Sequence, residues 1–271
     1  MRRLITNSDH QHADGSGPQD ALRVAALLPP LVVRLASEGP DAALQRLALF
    51  GLALAIASTW AAVFAHSTER RWGWWGAAYA LTFVVLLPGP VAWGAAALAL
   101  SFGTVFGREV FGGHAILPPA LVGLAFALFS FPDGGFEAQG LDGLAPSTVF
   151  ALSCVPGAWL LFRRSALAWL VIVGAVVGAV TTALAMGDPA WWRHPVVGAF
   201  AAGVVFLAAA PESAVAGRGA QAVHGILVGA LIVLIRLADP NHPDGVVFAV
   251  LLGGLFAPLL GRALHWWPSH V

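Results

Sequence analysis

The most constraining feature of this 271-residue sequence is a succession of apolar runs separated by short polar breaks. Hydrophobic residues make up 58% of the chain and charged residues only 10%, whereas about 25% of residues are charged in soluble domains. Each run must be helical, because hydrocarbon offers no partner to an unpaired backbone amide and a barrel strand would alternate polar with apolar residues. The sequence therefore predicts an all-α, polytopic membrane protein.

Ten runs qualify as candidate membrane helices. We place them at 21–36, 45–65, 74–88, 91–107, 115–131, 148–162, 166–186, 195–211, 219–238 and 246–264. Several are shorter than the roughly 20 residues that cross a bilayer. Ten helices divide into two halves of five, and the odd number in each half gives the halves inverted orientations.

The predicted organisation has four parts. They are a flexible N-terminal tail over 1–20, a first five-helix half over 21–131, an outer loop over 132–147 and a second five-helix half over 148–271. Short helices and helices broken by Pro or Gly point to midplane sites in inverted repeats. Five segments have this character: ALLPPLVV (27–34), VVLLPGP (84–90), GGHAILPPALVG (112–123), SCVPG (153–157) and AAAPESAVAG (208–217).

Arginine placement predicts the orientation in the membrane. If the N-terminus is cytoplasmic, all arginines except Arg34, Arg46, Arg193 and Arg236 fall on the inner side. Positive residues are enriched on the cytoplasmic side of membrane proteins. We therefore expect a multi-pass protein of the bacterial inner membrane with both termini in the cytoplasm.

Few ionisable side chains lie within the apolar runs. We expect Arg34 and Arg236 to extend along their helices to the outer surface. His114 and His224 could ligate a metal or haem iron, although a structural, hydrogen-bonded histidine is the favoured interpretation. The single Cys154 excludes an internal disulfide, and a formal net charge of zero gives no basic excess for nucleic acid. No hydrolase or phosphate-loop motif is present.

A polar loop interrupts the chain before the sixth run and ends in DGLAPST, residues 142–148. Ser147 or Thr148 can cap the free amides at the start of the following helix. The same helix start carries a positive dipole end that favours a phosphate. Both interpretations use the same geometry.

The spacing from Asp142 to Thr148 resembles a motif of the flavin-carrying membrane subunit shared by sodium-pumping NADH:quinone reductases and Rnf electron-transport complexes. In that family a separate transferase esterifies FMN, through its phosphate, to the final Thr of the motif. Two longer segments are also similar to the family: FGREVFGGHAILPPALVGLAFALFSFP (106–132) and HGILVGALIVLIRLADPNHPDGVVFAVLLGGLFAPLL (224–260). The resemblance extends over residues 20–265.

The resemblance implies ten helices in two inverted halves, a covalent FMN on Thr148, and a second, non-covalent flavin or quinone toward the cytoplasm. The implied cofactor-binding residues are Thr148, Asp142, Ser147, Gly112, Gly113 and Pro119, with Ala120 helping to shape the backbone. The implied partners are other membrane subunits that donate and accept electrons, a flavin transferase and the lipid bilayer.

The sequence departs from the family pattern at several positions. Ala145, Pro146 and Ser147 replace the usual residues inside the motif, Pro118 stands in place of Asn, and Ala209 with Ala210 in place of Thr-Asp. The segment LLFRRS (160–165) stands where the family has a turn containing Gly-Glu. Because these changes remove oxygen atoms that bind cations, we do not expect sodium pumping. Two other functions stay open: a cofactor-free structural subunit of a larger membrane complex, and a small-solute channel on the same fold.

Overall fold

The computed structural model describes residues 8–68, 75–89, 91–112, 115, 117–131, 144–213, 215, 217–238 and 245–265. Over these residues the chain forms ten α-helices and no strand, which confirms the predicted all-α membrane architecture. The helices are α1 (Ser8–Ser37), α2 (Pro40–Thr68), α3 (Trp75–Leu86), α4 (Trp93–Gly107), α5 (Pro119–Ser130), α6 (Leu144–Arg163), α7 (Trp169–Ala185), α8 (Phe200–Gly203), α9 (Arg218–Ala238) and α10 (Gly245–His265). Two 3₁₀ turns add Glu109–Phe111 and Trp191–Arg193.

The helices differ in their ability to span a membrane. Within the described part of the chain, four helices (α2, α6, α9 and α10) are long and apolar enough to cross a bilayer, while α3, α5 and α7 are apolar but shorter. The shortest, α8, continues as a π-helical turn over Val204–Ala208. The prediction of a multi-pass protein with some short or broken helices is thus confirmed.

Two helices begin earlier than the sequence predicts. Helix α1 begins at Ser8, so the described residues before position 21 continue the helix and do not form a separate tail. Helix α6 begins at Leu144, four residues before the predicted start at Thr148. Apolarity marks where a helix enters hydrocarbon, but backbone hydrogen bonding extends a helix beyond that point.

Proline interrupts the helices less often than predicted. Helix α1 runs through Pro29 and Pro30, and α6 runs through Pro156, so two of the five candidate breaks are continuous helix. A Cβ on the neighbouring Gly157 would overlap the backbone carbonyl of Ala26, so α1 and α6 pack in close contact beside this proline. Neighbouring helices allow membrane helices to tolerate proline. The other three candidates do lie at helix ends.

The order of packing repeats between the two halves. In the first half α3 packs on α1, α2 and α5, and α4 packs on α2 and α5. In the second half α8 with its π-turn packs on α6, α7 and α10, and α9 packs on α7 and α10. The halves meet through α1 with α6 and through α5 with α10. Each helix therefore has a counterpart five positions later, as two five-helix halves require.

The most extensive helix contact is between α7 and α9, and glycine makes it possible. Gly174 and Gly178 of α7 face α9, and Gly225 and Gly229 of α9 face α7, each pair with a four-residue spacing. A Cβ at any of the four would overlap a carbonyl oxygen of the opposite backbone. Small residues at this spacing let two membrane helices approach closely.

Candidate functional site

The hydroxyls of Ser147 and Thr148 lie inside the first turns of α6. Thr148 Oγ1 donates a hydrogen bond of 2.6 Å to the carbonyl oxygen of Leu144. Ser147 is fully buried, and its Oγ accepts a hydrogen bond of 3.2 Å from the N–H of Gly198. Neither hydroxyl occupies the capping position that the sequence suggests, because α6 begins at Leu144 and both side chains are bonded elsewhere.

Arg236, near the end of α9, binds the same region of the protein. Its Nη1 donates to the carbonyl of His194 and its Nη2 to the carbonyl of Val197, each at 2.8 Å. Gly198, with a left-handed φ of 65°, lies beside this guanidinium and also donates to Ser147. The expectation that Arg236 reaches the outer surface is wrong, because the half-buried guanidinium binds the loop that precedes α8.

The loop before α8 is also ordered by its own side chains. Asp188 accepts hydrogen bonds from the N–H of Ala190, at 2.8 Å, and from Nε2 of His194, at 2.7 Å. The Ala190 N–H and then the His194 ring hold the pKa of Asp188 below its ordinary value. Ser147, Arg236 and this loop therefore form one assembly at the start of α6, which we call the α6-start cluster.

The α6-start cluster fits a phosphate ester on Thr148. The hydroxyl is half-buried, and its hydrogen bond is to a backbone carbonyl, which an ester oxygen can release. It lies at the N-terminal end of a 20-residue helix, where unsatisfied amides and the helix dipole favour an anion. Sequence reasoning missed Arg236 and Gly198 as neighbours, since they lie far from Thr148 in the chain.

The other residues implied by the resemblance do not join this cluster. Asp142, Gly113 and His114 lie outside the described residues. Pro119 begins α5 and lines a cavity with Leu161, which lies thirteen residues after Thr148 on α6. At the rise of an α-helix this is roughly 20 Å from Thr148 along the helix axis. Gly112 ends the 3₁₀ turn between α4 and Pro119, with a left-handed φ of 71°.

The cavity beside Pro119 lies where the two halves meet. It has a volume of about 80 Å³ and carries charged groups of both halves: Arg23 Nη1 lies 2.6 Å from Glu212 Oε1 and 4.0 Å from Asp20. Burial raises the pKa of Asp20 above its ordinary value, against the opposing effect of Arg23. At roughly 30 Å³ for each water molecule, the space holds a few waters. It does not fit a flavin or quinone ring, so no second cofactor is assigned to it.

A second buried ionic group fixes the end of α3. Arg34 and Arg46 are only 2% and 5% exposed, and both bind Glu38, at 3.1 Å and 2.5 Å. Each arginine also donates to the Leu87 carbonyl at 3.1 Å, and Arg34 donates further to Pro88. The expectation that Arg34 extends to the outer surface is therefore wrong, because its guanidinium serves the unpaired carbonyls at the broken end of α3.

His224 is fully buried in α9, close to Gly253 of α10. Neither ring nitrogen has a hydrogen-bond partner within the described part of the chain, unlike the hydrogen-bonded histidine that the sequence favours. The same part of the chain holds no group of three His, Cys, Asp or Glu side chains suited to a metal ion. The structure thus places His224 in the helix packing and away from the α6-start cluster.

Comparison with known proteins identifies the family. The model of the NQR2, RnfD, RnfE family matches residues 6–139 and 138–265. One relative belongs to the Na(+)-translocating NADH-quinone reductase of Azotobacter vinelandii; this reductase subunit is 29% identical over 266 residues, covering 79% of this chain and 65% of the relative. The corresponding proteins of Pseudomonas paraeruginosa and Chromohalobacter salexigens, which carry the same name, are 31% and 32% identical, each over 66% of this chain and 56% and 55% of their own lengths. The chain thus spans less than two thirds of these relatives, and it belongs to the NQR2, RnfD, RnfE family.

Proposed function

We propose that this chain is the flavin-carrying membrane subunit of an electron-transport complex, with FMN esterified through its phosphate to Thr148. The family match supports the first part, since its relatives are named as subunits of an NADH-quinone reductase. The observation that carries the second part is the half-buried Thr148 hydroxyl at the start of α6, beside the loop held by Arg236.

Each residue of the α6-start cluster has a role in this proposal. Thr148 supplies the ester oxygen, and the first amides of α6 face the phosphate. Ser147 fixes the α6 start against Gly198, while Arg236 holds the loop before α8 and adds positive charge nearby. When bound, FMN supplies one- and two-electron transfer. Asp142 is proposed to orient the preceding loop for the transferase.

We further propose that the chain does not pump sodium. Ala209 and Ala210 are buried and Pro118 is buried as well, so none of these positions offers a side-chain oxygen to a cation. Glu38, whose side chain is buried, is already bound by two arginines. Sodium uptake into vesicles containing the complete complex, driven by electron transfer, should therefore stay at the level of vesicles made leaky with an ionophore.

Flavinylation is tested by producing the full chain together with a flavin transferase and viewing the denatured protein on a gel under ultraviolet light. We expect a fluorescent band for the unaltered chain and for Ser147→Ala, which leaves the ester oxygen in place. Thr148→Ala should abolish the fluorescence at equal protein amount, because it removes the only atom proposed to carry the phosphate.

Two results would contradict the proposal. One is a band that stays fluorescent in Thr148→Ala, which would move the flavin to another hydroxyl. The other is a dark band for the unaltered chain although the transferase labels an established substrate in the same cells. That second result would favour a cofactor-free structural subunit, the alternative supported by Ala145 and Pro146 within the motif.

A further inference from the structure

An apolar groove opens between α6 and α7, and α8 forms its floor. Its volume is about 400 Å³, and its lining is almost wholly apolar. Trp159 and Val155 of α6 and Val173 of α7 stand at its edges, 59%, 58% and 49% exposed. The groove runs along α6 from Ala151 to Phe162.

The groove exists because the second half of the fold departs from the first. In the first half α1 packs against α2, but their counterparts α6 and α7 do not pack against each other in this way. Helix α7 is drawn instead to α9 by the four glycines described above. This leaves an opening beside α6 that the repeat does not have at its other copy.

One end of the groove is positively charged. Helix α6 ends at Arg163, and Arg164 follows it; both are exposed. Within the described residues, neither guanidinium forms an ion pair with a carboxylate. The Arg163 guanidinium lies 6.0 Å from the ring centre of Trp159, and Trp169 opens α7 across the groove. Tryptophan beside arginine at a helix end is typical of the boundary between hydrocarbon and lipid headgroups.

We propose that this groove binds an anionic phospholipid, with one acyl chain against α6, α7 and α8 and the phosphate held by Arg163 and Arg164. Eleven residue steps separate Ala151 from Phe162, which at the rise of a helix is about 16 Å, close to the roughly 15 Å of hydrocarbon in one leaflet. Basic sites between membrane helices bind anionic headgroups in this way. Arginine matches a phosphate with two parallel donors.

The dimensions favour a lipid over a helix of another protein. A helix about 10 Å across and 16 Å long occupies roughly three times the volume of the groove. The two arginines also require a negative partner, which a phosphate supplies and an apolar helix does not.

The test is native mass spectrometry of the full chain, purified in detergent, stripped of lipid and then titrated with phosphatidylglycerol or phosphatidylcholine. We expect one phosphatidylglycerol per chain to be retained, with a preference of roughly tenfold to thirtyfold over phosphatidylcholine from two charge contacts. The exposed pair Arg163→Gln/Arg164→Gln should lose this preference. Ala158→Phe, which fills the groove, should lose retention of both lipids.

The matched control is Arg218→Gln/Arg262→Gln. It removes the same charge from two exposed arginines outside the groove and should leave the preference intact. An equal loss in this control would mean diffuse charge attraction and would overturn the site. Equal retention of both lipids by the unaltered chain would do so too. A second copy or partner helix in the groove would appear as a protein complex that Ala158→Phe dissociates while phosphatidylglycerol retention is unchanged, and this also overturns the proposal.

Discussion

At the scale of single residues, the buried arginines are the clearest departure from sequence expectation. Arg34, Arg46 and Arg236 all look in the sequence like residues that reach the membrane surface, yet each one binds backbone carbonyls inside the protein. The reason is that short and broken helices leave carbonyl groups unpaired in a medium without water. A guanidinium with five donors satisfies several of them at once.

Glu38 is the residue whose removal should destabilise the fold most at this scale. Glu38→Gln leaves two buried guanidinium groups without their counter-charge, and breaking such a group costs about 3–5 kcal/mol. We expect a strongly lowered unfolding temperature in detergent. The measurement can use a thiol-reactive fluorogenic dye, because Cys154 is the only cysteine and is buried until the chain unfolds.

The matched control for this change is Asp41→Asn, an exposed carboxyl in the first turn of α2. It should alter the stability by no more than about 0.5 kcal/mol. If Glu38→Gln unfolds at the same temperature as Asp41→Asn, the buried ion group does not hold the end of α3.

At the scale of elements, the α7–α9 contact depends on the absence of side chains at four positions. Gly229→Ala places a Cβ against the carbonyl oxygen of Ala175, so the two helices must separate along their length. Such overpacking costs about 1–3 kcal/mol. The unfolding temperature should fall in the same dye assay.

Gly51→Ala is the control for the helix contact. Gly51 lies within α2 with nothing near the position of a new Cβ, so Ala should be neutral or stabilising by up to about 1 kcal/mol. A Gly229→Ala protein as stable as Gly51→Ala would show that the close α7–α9 approach contributes nothing.

At the scale of the whole molecule, charged groups of both halves share the cavity beside Pro119. Burial raises the pKa of Asp20, so its neutral form is the one the fold favours. The stability that this carboxyl contributes is therefore fully present below its unfolded value of 3.8 and is lost as the pH rises through the higher folded value. Asp20→Asn keeps the neutral shape at every pH.

We expect the unfolding temperature of the unaltered chain to fall relative to Asp20→Asn as the pH is raised from 4 toward neutrality. Asp188→Asn serves as the comparison, since its pKa is shifted in the opposite direction and its loss should weaken the fold mainly above that lowered value. A constant difference between the unaltered chain and Asp20→Asn across this range would contradict the role of Asp20.

The sequence was sufficient for the number of helices, their approximate limits and the family, but only in part for the site. Apolar run length reports contact with hydrocarbon, so ten helices and their order follow from it directly. Thr148 and Ser147 were found through local spacing. Gly112 and Pro119 were grouped with them by resemblance alone, and the fold places Pro119 near the other end of α6.

The linear chain thus determines what each segment is: helix or loop, apolar or polar, and which hydroxyl begins α6. Which segments touch is a property of the folded molecule, because it depends on pairs of residues that lie tens to hundreds of positions apart. Arg236 meeting Gly198, Arg23 meeting Glu212 and α7 leaving α6 for α9 are all of this kind. In hydrocarbon the choice among such pairs is made by close packing and by the pairing of every buried polar group, and neither quantity exists until the helices are assembled.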